Sequence, residues 1–107
     1  DLPEEYRTDT NKVRGCASQV WLVTRTEGNR DDPVMTFRGD SDAHIVRGLV
    51  AILLAAASGR KASDLASLDA ALLLDELGLG EHLTAQRANG LRSMVERIKA
   101  EAARATA

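Results

Sequence analysis

The chain holds one cysteine, Cys16, in 107 residues. A single thiol excludes an internal disulfide framework and any cysteine-rich zinc or iron–sulfur ligand set. It fits a reducing compartment, and the cytoplasm is the expected location. Aromatics are nearly as scarce: Tyr6, Trp21 and Phe37 are too few for a platform on which nucleobases stack. Neither sign of charge dominates, since 14 Lys and Arg against 16 Asp and Glu leave a formal charge of −2. No basic block stands out, so phosphate-driven binding of nucleic acid is not expected. Long apolar runs are missing too. The longest, Leu49 to Ala57, falls far short of the about 20 residues that span a bilayer, and no membrane segment is expected. The opening Asp1-Leu2-Pro3-Glu4-Glu5 has neither the basic nor the apolar region of a signal peptide. The glycines form no phosphate loop. His44 and His82 are far apart, with no repeated cysteine or carboxylate spacing beside them, so no metal and no cofactor are expected. No Ser/His/Asp or paired-carboxylate spacing supports hydrolysis.

What is present suffices for one core. At 44% hydrophobic residues, the chain reads as a single domain over residues 1–107. Asp1 to Asn11 is a polar, irregular lead-in. A short strand is expected over Lys12 to Arg14. A second runs from Ser18 to Thr26, with Val20, Leu22 and Thr24 alternating against Trp21, Val23 and Arg25. The turn cluster Gly28-Asn29-Arg30-Asp31-Asp32-Pro33 leads to a partner strand, Val34 to Arg38, in an antiparallel hairpin. Ser41 is the expected N-cap of a helix, with Asp42 in its first turn. Ile45, Val46, Leu49, Val50, Ile52, Leu53, Ala56 and Ala57 form its wide apolar stripe, and Gly59 ends it. A short helix is expected over Ser63 to Leu68. Asp69 caps another from Ala70 to Leu77, ended by Gly78. After a brief turn around Gly80 to Leu83, Thr84 caps a long last helix with Leu91, Met94, Val95, Ile98 and Ala102 at core spacing. Strands first and helices afterwards predict an α+β fold: a small antiparallel sheet of about three strands with helices on one face.

Cys16 follows Gly15 and precedes the small residues Ala17 and Ser18, where a turn leads into the run Val20-Trp21-Leu22-Val23. Small neighbours leave its sulfur approachable, and no other side chain here is a strong soft nucleophile. A lone cysteine is also an ordinary buried small hydrophobe. Thiolate character and access decide between the two, and a sequence states neither. Arg14 and Arg38 are candidates to hold a thiolate by charge, or are simply solvated. Trp21 is expected to anchor the sheet to a helix, and is a candidate for a wall beside Cys16. Asp42 and Arg87 have ordinary roles as a first-turn charge complementing a helix dipole and as a solvated or ion-paired helix residue.

Gly15-Cys16-Ala17-Ser18-Gln19-Val20-Trp21 resembles the GCxSQVW signature of the SufE family, sulfur-acceptor proteins that partner cysteine desulfurases. Further stretches resemble it in the same order. They are Gly39-Asp40-Ser41-Asp42-Ala43 with Ile45-Val46-Arg47-Gly48-Leu49, then Leu77-Gly78-Leu79 with His82-Leu83-Thr84, and last Arg87, Gly90, Leu91 and Met94 as RxxGLxxM. The match runs from about Tyr6 to Ala103. It implies a fold like that of SufE and the U-type (IscU-like) scaffolds, and the family's N-terminal helical segment is expected to be missing from residues 1–107. It implies that Cys16 accepts sulfane sulfur as a persulfide from a SufS-type desulfurase, stimulates that enzyme and passes sulfur to a SufB-type iron–sulfur scaffold. Pyridoxal phosphate would belong to the partner alone, and the chain would be a monomer or weak homodimer. The family positions matching Asp42 and Arg87 lie near the sulfur-carrying loop and influence engagement with the desulfurase. Gly15, Asp42 and Arg87 are therefore the expected partner-binding residues. A persulfide needs exposure during transfer and shelter between transfers. Cys16 is accordingly expected to rest against apolar core and swing outward, a motion that Gly15 and Ala17 permit.

Two other readings belong to different classes. A cluster scaffold usually needs several thiolate or imidazole ligands, and one Cys with two distant His supplies them poorly. A pure interaction domain would make Cys16 structural, and Cys16→Ser would leave its partner function intact.

Overall fold

A computed structural model describes residues 2–16, 18–79 and 83–106. Two strands rich in β-branched and aromatic residues, β1 (Val20–Glu27) and β2 (Val34–Ser41), pair antiparallel from Val20 opposite Ser41 to Glu27 opposite Val34. Residues facing each other across the pair share a side of the sheet. Val20, Leu22, Met35 and Phe37 thus point one way; Trp21, Val23, Arg38 and Asp40 point the other. A third strand, β3 (Arg60–Lys61), pairs antiparallel with Val34 and Met35 at the other edge of β2.

The first side of the sheet carries the helices. The helix α1 (His44–Ala57) crosses β2 at Gly39, where an added Cβ would come within 2.7 Å of Leu54 Cδ1 and 3.0 Å of Val50 Cγ1. Glycine at this point lets helix and strand approach. The short helices α2 (Ala62–Ala66) and α3 (Ala70–Glu76) lead to α4 (Ala85–Ala105). Asp69 caps α3 by accepting from Leu72 N, and Thr84 caps α4 by accepting from Arg87 N. In α4, Leu91, Met94, Val95, Ile98 and Ala102 are all buried, the stripe that the spacing predicts. This is an α+β fold with a three-stranded antiparallel sheet.

Four expectations are corrected. Lys12 to Arg14 is not a strand: Lys12 makes a lone bridge to Trp21, with Val13 N donating to Val20 O and Leu22 N to Asn11 O. The third strand is Arg60–Lys61 instead. Ser41 does not cap α1. It ends β2, its hydroxyl donates to Gln19 O and accepts from Ala43 N, and the N-cap position falls to Ala43. Asp42 therefore precedes the helix and is not in its first turn. Finally, Trp21 faces away from the helices and lies under the Arg7 guanidinium, 5.0 Å from its ring centre. The expected turn at Gly80 to Leu83 falls mostly outside the described residues, since 80–82 are not among them.

The face that Trp21 shares with Asp40 is closed by the lead-in. Asp40 is fully buried, yet its carboxylate accepts from Leu2 N (3.0 Å), Ser41 N (2.8 Å) and Arg7 Nη2 (2.8 Å), and Arg47 Nε of α1 lies 2.7 Å away. Burial by itself would raise the pKa of such a group. The donors from Leu2, Ser41 and Arg7 and the Arg47 charge outweigh it and hold Asp40 well below the usual carboxylate range.

Candidate functional site

Cys16 sits on a loop closed at its base by the Val13 N to Val20 O hydrogen bond of 2.8 Å. Gly15, at φ +89°, turns the chain just before it. A side chain at Gly15 would be strained in that conformation, and its Cβ would lie 2.5 Å from Ser93 Oγ of α4. The loop lies against α4 with no room for a side chain at Gly15 unless Ser93 moves. Next to Gly15, the Cys16 sulfur rests over the same helix and donates to Gly90 O at 3.5 Å.

The far end of the loop is tied to the start of α1. Asp42 accepts from Gln19 N at 3.1 Å and from Gln19 Nε2 at 3.3 Å, while Ser41 Oγ donates to Gln19 O at 2.8 Å. One residue of the loop thereby has its backbone donor, backbone acceptor and side-chain amide all engaged by the β2–α1 junction.

Between α1 and α4 an open cavity of about 510 Å³ has Cys16 in its wall. Val20, Leu49, Val50, Leu91 and Met94 supply apolar lining; His44, Thr84, Gln86 and Arg87 add polar groups, and Ile45 also borders it. Ile45 is 60% exposed, a large apolar side chain left facing solvent beside the thiol's cavity. Cys16 itself is half-buried, and burial pushes its thiol above the ordinary value of 9.0. Desolvation disfavours the anion. In this arrangement the sulfur is a protonated, sheltered thiol at neutral pH, not a standing thiolate.

Of the residues singled out from the sequence, Cys16 and Arg87 line one cavity, and Gly15 adjoins it through the loop. Arg87 is the third residue of α4 and is exposed. Asp42 does not line the cavity; it acts on the loop through Gln19. Arg14 and Arg38 are exposed and outside the cavity lining, Arg38 lying on the opposite side of the sheet. Trp21 is no part of the wall; its neighbour Val20 is. Ala17 and His82 lie outside the described residues. Among the described residues, no three His, Cys, Asp or Glu side chains gather as a metal ligand set. No described helix is long and apolar enough to cross a membrane.

Sequence reasoning names Gly90 only within the RxxGLxxM motif and His44 only as an isolated histidine, and it misses Ser93 beside the loop. Gly90 did carry a signal, since a glycine inside a long helix costs about 1 kcal/mol against alanine and wants a local reason. The others show only in three dimensions.

Comparison with known proteins places the chain in a family. The family model described as "SufE: Fe-S metabolism associated domain" matches residues 1–102. An uncharacterised SufE-like protein of Rhizobium meliloti (strain 1021) is 61% identical over 102 residues, covering 95% of this chain and 73% of that protein. An uncharacterised SufE-like protein of Rhizobium etli is 63% identical over 102 residues, 95% of this chain and 69% of the relative. The sulfur acceptor protein CsdE of Escherichia coli is 41% identical over 98 residues, covering 91% of this chain and 64% of CsdE. A family model over residues 1–102 and relatives of this identity show that the chain belongs to the SufE family.

Proposed function

We propose that this protein is a sulfur acceptor that carries sulfane sulfur on Cys16. The observation that supports it best is the setting of that thiol: half-buried, protonated and facing a cavity, on a loop that a positive-φ glycine introduces. Family membership and the likeness to CsdE supply the substrate class.

The donor is a cysteine desulfurase of the SufS type that holds its product as a cysteine persulfide; its pyridoxal phosphate belongs to that enzyme. Cys16, as thiolate, attacks the outer sulfur of the donor persulfide. The sulfur–sulfur bond of the donor breaks as a new one forms on Cys16. The donor cysteine leaves as thiolate and takes up the proton that Cys16 gave up, so electrons and protons balance with no external oxidant. Removing the product frees the desulfurase for another turnover, which makes this chain an accessory protein. A SufB-type iron–sulfur scaffold then receives the sulfur by the same exchange.

Shelter and reactivity conflict in one position, because the cavity that protects a persulfide also suppresses the thiolate. The loop resolves this by moving: Cys16 lies in the cavity between transfers and swings out about Gly15 to meet the donor. Gly15, Asp42 and Arg87 act at that encounter, Asp42 through Gln19 and Arg87 from the cavity wall. Intact-mass measurement after incubation with a desulfurase and L-cysteine tests the reading. The wild type should gain one sulfur atom, removable by reductant, and Cys16→Ser should gain none. An unchanged wild-type mass, with a cognate desulfurase that demonstrably turns over, would reject it.

A further inference from the structure

From the structure we infer that Arg97 is a positioning residue for Cys16, fixing the stem of the loop so that only its tip can swing. The inference rests on Cys16 being the working thiol. Arg97 lies on α4, 85 positions from the residue it holds: its Nη1 donates to Lys12 O at 3.0 Å and its Nη2 to Thr10 O at 2.8 Å. One turn on, Glu101 receives Nε at 3.2 Å and sets the plane of the guanidinium. Both carboxylate and guanidinium are largely covered, with 17% and 24% of their side chains exposed.

These carbonyls belong to the segment that leads into the Cys16 loop. Asn11 and Val13 bond across to Leu22 and Val20 of β1, while the carbonyls of Thr10 and Lys12 go to Arg97. Arg97 therefore takes the place that another strand would fill, and a planar fork suits two neighbouring carbonyls as a single ammonium does not. The same helix meets the hinge at Ser93 and the sulfur at Gly90. Gly90, Ser93, Arg97 and Glu101 follow one another at spacings of three and four, along one face of α4. That face holds the tip by a thiol bond, the hinge by contact and the stem by two charge-assisted bonds, so opening begins at the tip.

The experiment uses Arg97→Met, Arg97→Lys and Glu101→Gln in the whole chain, far below their melting temperatures. Cys16 alkylation in the unloaded protein reports how often the loop is open. Arg97→Met should speed it about tenfold, with Arg97→Lys and Glu101→Gln between it and the wild type. Amide exchange should quicken at Val13 and Leu22, whose hydrogen bonds hold the stem, and stay unchanged at Val95 and Ile98 in the core. Loaded variants should lose their sulfur to a small thiol faster than the wild type. Wild-type alkylation rates in all three variants would overturn the inference, as would equal acceleration of stem and core amides, the mark of general destabilisation. Should Arg97→Met fail to fold, the other two variants carry the same comparison. Failure of the sulfur-acceptor reading looks different, since the wild type itself would then acquire no sulfur.

Discussion

The thiol of Cys16 and the carbonyl oxygen of Gly90 meet at 3.5 Å across 74 positions of sequence. That contact limits how large a side chain position 90 of α4 can carry beneath the sulfur. Among the described residues, an added Cβ at Gly90 would find one neighbour within 4 Å, the sulfur itself, at 3.8 Å.

Gly90→Ala is therefore expected to fit. The new methyl would touch Sγ at ordinary contact distance, and the helix would gain about 0.5–1 kcal/mol from the lost glycine. Thermal unfolding should move up by several degrees, at about 4–8 °C per kcal/mol for a domain of this size. A longer side chain must overlap the sulfur, so Gly90→Leu should displace Cys16 and speed its alkylation. A lower melting temperature for Gly90→Ala would mean that the sulfur sits closer to the helix than 3.8 Å.

Gly15 behaves in the opposite way. At φ +89° any L side chain is strained, and its Cβ would also meet Ser93 Oγ at 2.5 Å and Ser93 Cβ at 3.2 Å. Gly15→Ala should cost about 1–3 kcal/mol, read as a lower urea midpoint with an unchanged slope. Adding Ser93→Ala removes the hydroxyl overlap but not the dihedral strain, so the double variant should recover only part of the loss. Full recovery would assign the whole cost to the overlap.

Much of this architecture was legible because it rests on local periodicity. The buried stripe of α4 and the caps Asp69 and Thr84 follow from spacing and residue type, and the structure reproduces them. Legibility fails where a polar group chooses between partners. Ser41 has the chemistry of an N-cap, but its hydroxyl serves Gln19 O and Ala43 N. Trp21 looked like a helix contact, yet the register turns it toward Arg7 and Asp40. Lys12 to Arg14 reads as a strand, but one side of it is occupied by a single guanidinium from α4. The motifs single out Cys16, Gly15 and Arg87, while the cavity that Cys16 shares with Arg87 and His44 depends on how α1 and α4 converge.

Asp40 should dominate the acid response. Its folded pKa lies below the ordinary value of 3.8, so its contribution is complete above about that pH and is lost as pH falls through the folded value. At neutral pH, Asp40→Asn leaves Arg7 and Arg47 without their anion, which should cost about 3–5 kcal/mol. As pH falls below 3.8 the gap between variant and wild type should narrow. Urea titrations of both proteins across this range check it, and a gap constant with pH would mean that the cost comes from packing rather than from charge.

The alkaline side belongs to Cys16. Burial raises its folded pKa above the ordinary 9.0, so the folded state keeps the thiol proton longer than the unfolded chain does. The resulting stability is fully present below pH 9.0 and declines as pH rises through the folded value. Alkylation follows the thiolate, and two rate profiles should separate. In urea, the rate should level off near pH 9.0; in the folded protein it should keep climbing beyond that point. Cys16→Ser should lack the thiol-linked part of the alkaline loss of stability. A folded profile that levels off below pH 9.0 would place an unseen positive charge beside the sulfur and would make the resting thiol a reactive one. Loop opening would then serve access alone and contribute nothing to ionisation.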